Sequence, residues 1–237
     1  MKFELTEVWG FKHAIRGMRN PMNSWDKSDS GECDGLCVEC QYLDKNCDVN
    51  DYIGANDMKL AQQLIRAGSE HRKFMRQVFV SVDITAPLYW WKEFDQYKIG
   101  VTTNSQSTMH RLSTTSITLD CFEIDDYETV IIESYEDKED YFSNDEFWAY
   151  LITHMETLRK KHLETKDKKY WKELIRILPS SWLQTRTVTM NYENLYSAIR
   201  QRRNHKLTEW SESFINWCKT LPYADELLFI DLDKKGE

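Results

Sequence analysis

The chain is poor in the residues that keep polypeptides irregular, with 8 glycines and 4 prolines among 237 residues. Disordered and low-complexity chains are rich in such residues and poor in aromatics. This sequence is 41% hydrophobic and has 9 Trp, 12 Tyr and 10 Phe. The length allows one large domain or at most two small ones. The composition therefore predicts a packed globular protein rather than a disordered chain.

Long apolar runs are missing as well. No stretch approaches the roughly 18–20 apolar residues that a membrane-spanning helix needs, so no membrane partner is expected. Residues 1–17 lack the basic start, the apolar centre and the small-residue cleavage site of a secretory signal. These features favour a cytoplasmic protein in a reducing compartment, where disulfides are rare.

The sequence also lacks an excess of positive charge. It has 31 Lys and Arg against 39 Asp and Glu, and its net charge is −8. Duplex DNA binding depends largely on many phosphate contacts from Lys and Arg, and no duplex DNA partner is expected. One local run departs from this balance, with four cations in seven residues and no acid among them: Arg200, Arg202, Arg203 and Lys206. The run favours a small anion as ligand, with a solvated helix face as the alternative.

Hydrophobic periodicity indicates where the first regular elements lie. Residues 2–9 and, more clearly, residues 78–84 alternate between apolar and polar side chains, which predicts two strands. Between them, a helix is predicted to begin at Asn56 or Asp57, which can cap its first turn, and to end at Gly68.

Three more helices are predicted from residues that start or stop helices and from apolar stripes. Residues 86–87, Ala-Pro, are expected to start one helix, because proline suits a first helical turn. Residues 143–146 have capping-box spacing before an apolar stripe and predict a second, long helix. A final long helix is predicted from about Asn191 to a stop at residues 221–222, Leu-Pro. The pattern predicts a single α+β domain over residues 1–237.

A cysteine-rich loop insertion is predicted at about residues 31–51. Four cysteines with the spacing C-x3-C-x2-C-x6-C lie within it: Cys33, Cys37, Cys40 and Cys47. Four close thiolates can enclose Zn²⁺ tetrahedrally or ligate an iron–sulfur cluster, and either metal would order a segment too small for its own core. Structural zinc is the preferred metal. Unligated thiols are an equal alternative, because the spacing does not match a standard zinc finger.

Two segments resemble the flavin-dependent thymidylate synthases, the ThyX-like family. The C-terminal part of that family has a Leu-Pro, a Thr-rich segment, an Asn at a helix start and an Arg three turns later. The corresponding positions are Leu178-Pro179, residues 185–189, Asn191 and Arg202. The second segment, residues 86–112, matches the family's flavin-binding segment in placement and length. The resemblance implies a divergent member with the thymidylate synthase-complementing-protein-like fold, an antiparallel sheet flanked by long helices.

The family's Arg-His-Arg triplet is rewritten in this second segment. Counting back from Ser107 places it at Tyr97-Lys98-Ile99, and counting forward from Pro87 places it one residue earlier. The first count is preferred, because Asn104 and Ser107 then match without a gap. A Tyr can stack on a ring and a Lys can meet a phosphate as a point charge, but neither reproduces the planar fork of Arg. A different grip on FAD, a different nucleotide and lost catalysis are all open.

The activity that the resemblance implies is transfer of a one-carbon group to dUMP, a pyrimidine deoxynucleotide. FAD would carry the hydride, and NADPH and methylenetetrahydrofolate would be co-substrates. A homo-oligomer, usually a tetramer with sites between subunits, is implied as well. The alternative is a non-catalytic nucleotide-binding or assembly protein on the same scaffold.

The resemblance also implies roles for individual residues. The catalytic positions are Arg202 and Arg203. Substrate contacts are assigned to Arg202, Ser107 and Arg111. The cofactor-binding positions are Arg76, Tyr97, Lys98, Ile99, Asn104 and Asn191.

Overall fold

The computed structural model describes residues 1–32, 51–124, 131–133 and 141–232. Its architecture is mixed α+β, with an antiparallel sheet and helices, which confirms the predicted fold class. In the described part of the chain, no helix is long and apolar enough to cross a membrane.

The strands among these residues form one larger sheet and two short ladders. Their bounds are β1 Lys2–Trp9, β2 Gly31–Glu32, β3 Asp51–Tyr52, β4 Phe79–Pro87, β5 Thr102–Ser105, β6 Ile131–Glu133, β7 Tyr141–Ser143 and β8 Leu183–Asn191. The four-stranded sheet has the order β1-β4-β8-β5. The antiparallel ladders pair β2 with β3, Gly31 opposite Tyr52, and β6 with β7, Ile132 opposite Phe142.

The helices include one of 22 residues. Their bounds are α1 Phe11–Met18, α2 Ala55–Arg66, α3 Leu88–Phe94, α4 Thr108–Thr114, α5 Asn144–Thr165, α6 Lys168–Arg176, α7 Tyr192–Arg202 and α8 Ile215–Lys219. Short 3₁₀ segments lie at Asn20–Met22, Trp25–Lys27, Arg72–Gln77 and Leu119–Cys121, and π-helical turns at Glu209–Phe214 and Ala224–Leu228.

Most of the predicted elements are confirmed. The strand predicted over residues 2–9 is β1, and the strand predicted over residues 78–84 is β4, which continues to Pro87. Helix α3 begins directly after Pro87, and the long helix α5 begins at Asn144. Gly68 follows α2 with a positive φ of 111°, as expected for a helix end in the left-handed region.

The start of α2 differs from the prediction. The helix begins at Ala55, and neither Asn56 nor Asp57 caps it. The cap comes from elsewhere in the chain, because the Asp29 carboxylate accepts hydrogen bonds from the backbone N–H groups of Asn56 at 2.8 Å and Asp57 at 3.0 Å. A capping carboxylate supplied by a distant segment leaves no local sequence signature.

The prediction of one long helix from Asn191 to residue 221 is wrong. Asn191 does cap α7 in a reciprocal capping box with Asn194, but the helix ends at Arg202. Residues 203–208 then separate α7 from the next helical turn, and the His205 Nδ1 atom accepts a hydrogen bond from Leu207 N in this connection. Residues 203–208 contain no Gly or Pro. The apolar periodicity therefore continues across them in the sequence and predicted an uninterrupted helix.

The structure divides into two compact units, and the prediction that residues 1–237 form one domain stays a prediction. Unit 1 comprises Met1, Thr85–Gln96 and Ser105–Arg186. Helices α5 and α6 pack against each other in this unit. Its buried cluster includes Leu112, Met155, Leu174 and Trp182.

Unit 2 comprises Lys2–Ile84, Tyr97–Asn104 and Thr187–Glu237. Val80, Val82 and Ile84 are buried along one face of β4, as alternation requires. The 3₁₀ segment Arg72–Gln77 packs against both α1 and α7. Tyr192, at the start of α7, is fully buried, and its hydroxyl donates to the Pro222 carbonyl at 2.6 Å.

A buried ion pair connects several segments of unit 2. The Arg19 Nε atom donates to Asp57 Oδ1 at 2.5 Å, and both side chains are buried. Asp57 Oδ2 accepts hydrogen bonds from the hydroxyls of Ser28 and Ser30 and from the backbone N–H groups of residues 29 and 30. Burial alone raises the pKa of Asp57. The hydrogen bonds from the two serines and Arg19 outweigh burial, so the pKa lies below its usual value of 3.8.

We expect Asp57→Asn to lower the free energy of unfolding by roughly 3–5 kcal/mol, the usual cost of leaving one partner of a buried ion pair uncompensated. Urea unfolding near neutral pH measures this difference. Since the pKa of Asp57 is lowered in the folded state, the stability that its carboxylate contributes is lost as the pH falls through that pKa. The difference in the free energy of unfolding between the wild type and Asp57→Asn should therefore become smaller in acid.

The matched control is Glu32→Gln, which removes an exposed ion pair with Lys12. Exposed pairs contribute little to stability, so this variant should unfold almost as the wild type does. If Asp57→Asn and Glu32→Gln were equally stable near neutral pH, the buried network would not have the importance assigned to it.

Candidate functional site

The segment Tyr97–Gly100 of unit 2 contacts both ends of helix α7. At the last turn of the helix, the Tyr97 hydroxyl accepts a hydrogen bond from Arg202 Nε at 3.0 Å and lies 3.0 Å from Gln201 Oε1, to which it donates. At the first turn, Asn194 Nδ2 donates to the Ile99 carbonyl at 2.8 Å. These contacts hold residues 97–99, the preferred position of the rewritten triplet, against α7 and against Arg202 of the basic run.

Arg202 lies against two aromatic rings. Its guanidinium carbon lies 4.9 Å from the ring centroid of Trp210 and 5.8 Å from that of Tyr97. Trp210 is fully buried and meets the Tyr97 ring edge-on at 6.2 Å. Arginine stacks well on such rings. The arrangement positions one cation at the carboxyl end of α7.

The other cations of the basic run have different surroundings. The Arg200 guanidinium donates to the carbonyls of Leu228 at 2.9 Å and Ile230 at 2.8 Å, and it stacks on Tyr196 at 3.3 Å. Burial lowers the pKa of Arg200, although the group stays charged. Arg203 is exposed and donates to the Leu232 carbonyl at 2.8 Å. Arg200 therefore stabilises the C-terminal segment.

The predicted cofactor residues of unit 2 fall into two groups. Asn191 is buried, since it caps α7 and lies against Gly100. A Cβ on Gly100, whose φ is 75°, would come within 2.8 Å of Asn191 Nδ2, so this close approach requires glycine. Tyr97 is half-buried, and the remaining positions are exposed: Arg76, Lys98, Ile99 and Asn104.

The two predicted phosphate-side residues, Ser107 and Arg111, lie in unit 1. Ser107 caps α4, with its hydroxyl accepting from the His110 backbone N–H at 3.2 Å. Arg111 Nη1 donates to the Leu183 carbonyl at 2.6 Å, and the guanidinium lies 4.9 Å from the Trp182 ring centroid. Each residue thus has a structural contact in addition to any role in binding.

Gln201, Trp210 and Asn194 are the residues of this site that sequence reasoning missed. Trp210 was visible only as part of an apolar stripe, and nothing in the sequence connects it to Tyr97, more than a hundred positions earlier. Its contact with Arg202 depends on the break after α7, because a continuous helix would carry Trp210 two turns beyond Arg202.

The four cysteines proposed as zinc ligands, Cys33, Cys37, Cys40 and Cys47, lie outside the described residues. Within the described ranges, no group of three or more His, Cys, Asp or Glu side chains could hold a metal ion. Cys121 and Cys218 are buried free thiols, and burial raises the pKa of Cys218 well above its usual value.

Comparison with known proteins gives a fold relationship. No protein family model and no curated protein sequence matches the chain. Among solved structures, it is similar to flavin-dependent thymidylate synthase ThyX from Helicobacter pylori complexed with FAD and dUMP, with a TM-score of 0.62 and 16% identity over 98% of this chain and 99% of that one. A second structure of ThyX from Helicobacter pylori with FAD and dUMP has the same TM-score and identity over 99% of this chain and 100% of that one. The likeness confirms the fold that the sequence resemblance implied.

We expect Arg200→Ala to lower the free energy of unfolding by roughly 1.5–3 kcal/mol, the range for hydrogen bonds that involve a charged group. Two carbonyls of residues 228–230 would lose their donor, and the Tyr196 ring would lose its stacking partner. Thermal and urea unfolding measure the loss. Arg203→Ala is the comparison, and it should cost less because Arg203 is exposed. Equal losses in the two variants would contradict the structural role of Arg200.

Proposed function

We propose that the protein is a divergent flavin-dependent thymidylate synthase-like enzyme that transfers a one-carbon group to the pyrimidine deoxynucleotide dUMP. FAD is the proposed hydride carrier, with NADPH and methylenetetrahydrofolate as co-substrates. The observation that carries the proposal is the positioned guanidinium of Arg202, held by Tyr97 and Trp210. It occurs in a fold shared over almost the whole chain with proteins crystallised with FAD and dUMP.

The role of Arg202 follows from the chemistry of its side chain. A guanidinium has five N–H donors in one plane and matches phosphate or carbonyl oxygens in pairs. One donor, Nε–H, is directed to the Tyr97 hydroxyl, which fixes the orientation of the plane. A side chain already held in place loses less conformational entropy when it binds an anion. Arg202 is therefore the proposed contact to the pyrimidine nucleotide.

The residues of unit 2 fit FAD through charge. Arg76 and Lys98 are exposed cations and suit the pyrophosphate, and the exposed Asn104 amide can hydrogen-bond a ring or a ribose. Bound FAD would supply the hydride chemistry that amino-acid side chains lack. Tyr97 contributes differently, because its hydroxyl and ring already contact Arg202 and Trp210.

The remaining assignments belong to the same proposal. Arg203 is the second catalytic position, and Ser107 and Arg111 are substrate-side residues. Asn191 positions the Tyr97–Gly100 segment from its place beneath Gly100. A homo-oligomer, in the form of a tetramer, is proposed on the resemblance, and light scattering on the purified protein measures its mass.

A non-catalytic nucleotide-binding or assembly protein is the second candidate. The contact between Tyr97 and Arg202 favours this candidate. Tyr97 is neutral and occupies the preferred position of the first Arg in the family's triplet, where it contacts Arg202, the proposed nucleotide-binding residue. Such a protein would bind dUMP through Arg202 and would not retain FAD.

The first test concerns the nucleotide. Arg202→Ala should weaken dUMP binding by about tenfold to a hundredfold, which corresponds to the loss of one charged hydrogen-bonding group. Calorimetric titration measures the affinity, and circular dichroism checks that the variant is folded. Arg66→Ala is the control, because Arg66 is exposed and pairs with Asp231. A folded Arg202→Ala variant with wild-type affinity would remove Arg202 from the site.

The second test concerns the cofactor. Protein that is mixed with FAD and desalted should keep flavin absorption near ~450 nm. Lys98→Gln should reduce the retained flavin, since a cation facing the pyrophosphate is lost, whereas Lys92→Gln, at an exposed position in α3, should not. A folded wild type that binds dUMP but retains no flavin would favour the nucleotide-binding alternative over the enzyme.

A further inference from the structure

A cavity of about 360 Å³ lies in unit 2 beside α1, among residues that have no part in the Arg202 site. Helix α1, the 3₁₀ turn Trp25–Lys27 and the β2–β3 ladder contribute its walls. Its volume falls within the range of pockets that hold small molecules. The apolar wall consists of Phe11, Ile15, Trp25, Tyr52 and Ile53.

Among the residues that the structure describes, the charged side chains of the lining are mostly cations. Lys12, Arg16 and Arg19 are accompanied by one described acid, Glu32, in a protein whose net charge is −8. Lys12 and Glu32 form an exposed ion pair at 2.5 Å and offset each other. Arg16 is exposed, and its guanidinium lies over the Trp25 ring at 5.2 Å. Because Arg19 is paired with Asp57, Arg16 is the cation of the described lining that attracts an anion.

Arg19 gives the cavity a hydrogen-bond donor. The residue is only 5% exposed. Its Nε atom donates to Asp57 and its Nη1 atom to the Ser24 carbonyl at 3.3 Å. Among the described residues, its Nη2 atom has no hydrogen-bond partner. Arg19 is one of the residues that line the cavity, so an acceptor brought by a ligand would satisfy a donor that the described residues leave open.

The aromatic residues of the wall are held in place. Trp25 Nε1 donates to Asn20 Oδ1 at 2.9 Å, which fixes the indole ring. The Tyr52 ring lies so close to Gly31 that a Cβ at Gly31 would be 3.1 Å from a ring carbon. Trp25 is 40% exposed and Tyr52 45% exposed, although both are large and aromatic. Exposed aromatic surface at a cavity is typical of sites that stack a planar ring.

We propose that this cavity binds a small aromatic anion, a planar ring that bears a phosphate or a carboxylate. The ring packs against Trp25 and Tyr52. The anionic group accepts hydrogen bonds from Arg16 and from Arg19 Nη2. This site is separate from the nucleotide contact proposed for Arg202, and its existence does not depend on that proposal.

The test uses two probes that share this chemistry and differ in its source. Adenosine monophosphate carries a phosphate, and p-aminobenzoate carries a carboxylate. Ligand-observed NMR and calorimetric titration on the whole protein should detect binding of at least one probe. The probe that binds more tightly shows whether the anionic group of the ligand is a phosphate or a carboxylate. Inorganic phosphate should bind more weakly than the tighter probe, because it lacks the ring.

Two variants and two controls locate the binding. Arg16→Gln and Trp25→Leu alter exposed side chains outside the buried Asp57 network and should each weaken the tighter probe by about tenfold, the effect of losing one charged hydrogen bond or one stacking partner. Arg66→Gln and Lys92→Gln alter exposed cations outside the cavity and should bind that probe as the wild type does.

Three outcomes would overturn the proposal. The first is that neither probe binds the wild type at millimolar concentration. The second is that folded Arg16→Gln and Trp25→Leu proteins bind the tighter probe with wild-type affinity. The third is that inorganic phosphate binds as tightly as either probe, which would remove the aromatic part of the assignment.

Discussion

The carboxylate of Asp57 is the constraint on which much of unit 2 depends. It lies fully buried at the start of α2 and accepts hydrogen bonds from two serine hydroxyls, two backbone N–H groups and the Arg19 guanidinium. A buried carboxylate is stable only when its lone pairs are satisfied. Residues 28–30 must therefore lie against α2, where Asp29 also caps the helix. The same network holds Arg19 at the cavity beside α1.

The basic run at residues 200–206 shows that a cluster of like charges in sequence is not a single site in space. Successive positions on a helix are separated by about 100°, so neighbouring arginines leave its axis in different directions. Arg200 turns to the carbonyls of the C-terminal segment, and Arg203 reaches Leu232. Arg202 alone of the three contacts the Tyr97–Gly100 segment, through the Tyr97 hydroxyl and the two aromatic rings.

The parts of the fold that sequence could predict are those with local causes. Alternating Val and Ile side chains are sufficient for β4, and the Asn191 cap is sufficient for the start of α7. The end of α7 has no such signal, because residues 203–208 include no glycine or proline and are residues that a helix tolerates. The site contacts were beyond sequence reasoning for a different reason. Tyr97, Gln201 and Trp210 meet through tertiary packing, and a one-residue change of alignment would have named Gln96 in place of Ile99 as part of the triplet.

Arg202 and Arg19 are positioned in the same way, although the oxygen that accepts from each guanidinium differs. Each uses its Nε–H to donate to a fixed oxygen, which orients the guanidinium plane. The oxygen is a carboxylate at Arg19, so the pair carries no net charge and offers directed N–H groups. At Arg202 the oxygen belongs to the Tyr97 hydroxyl. Because the Arg19 pair is neutral, an anion at the cavity depends on Arg16 for its charge.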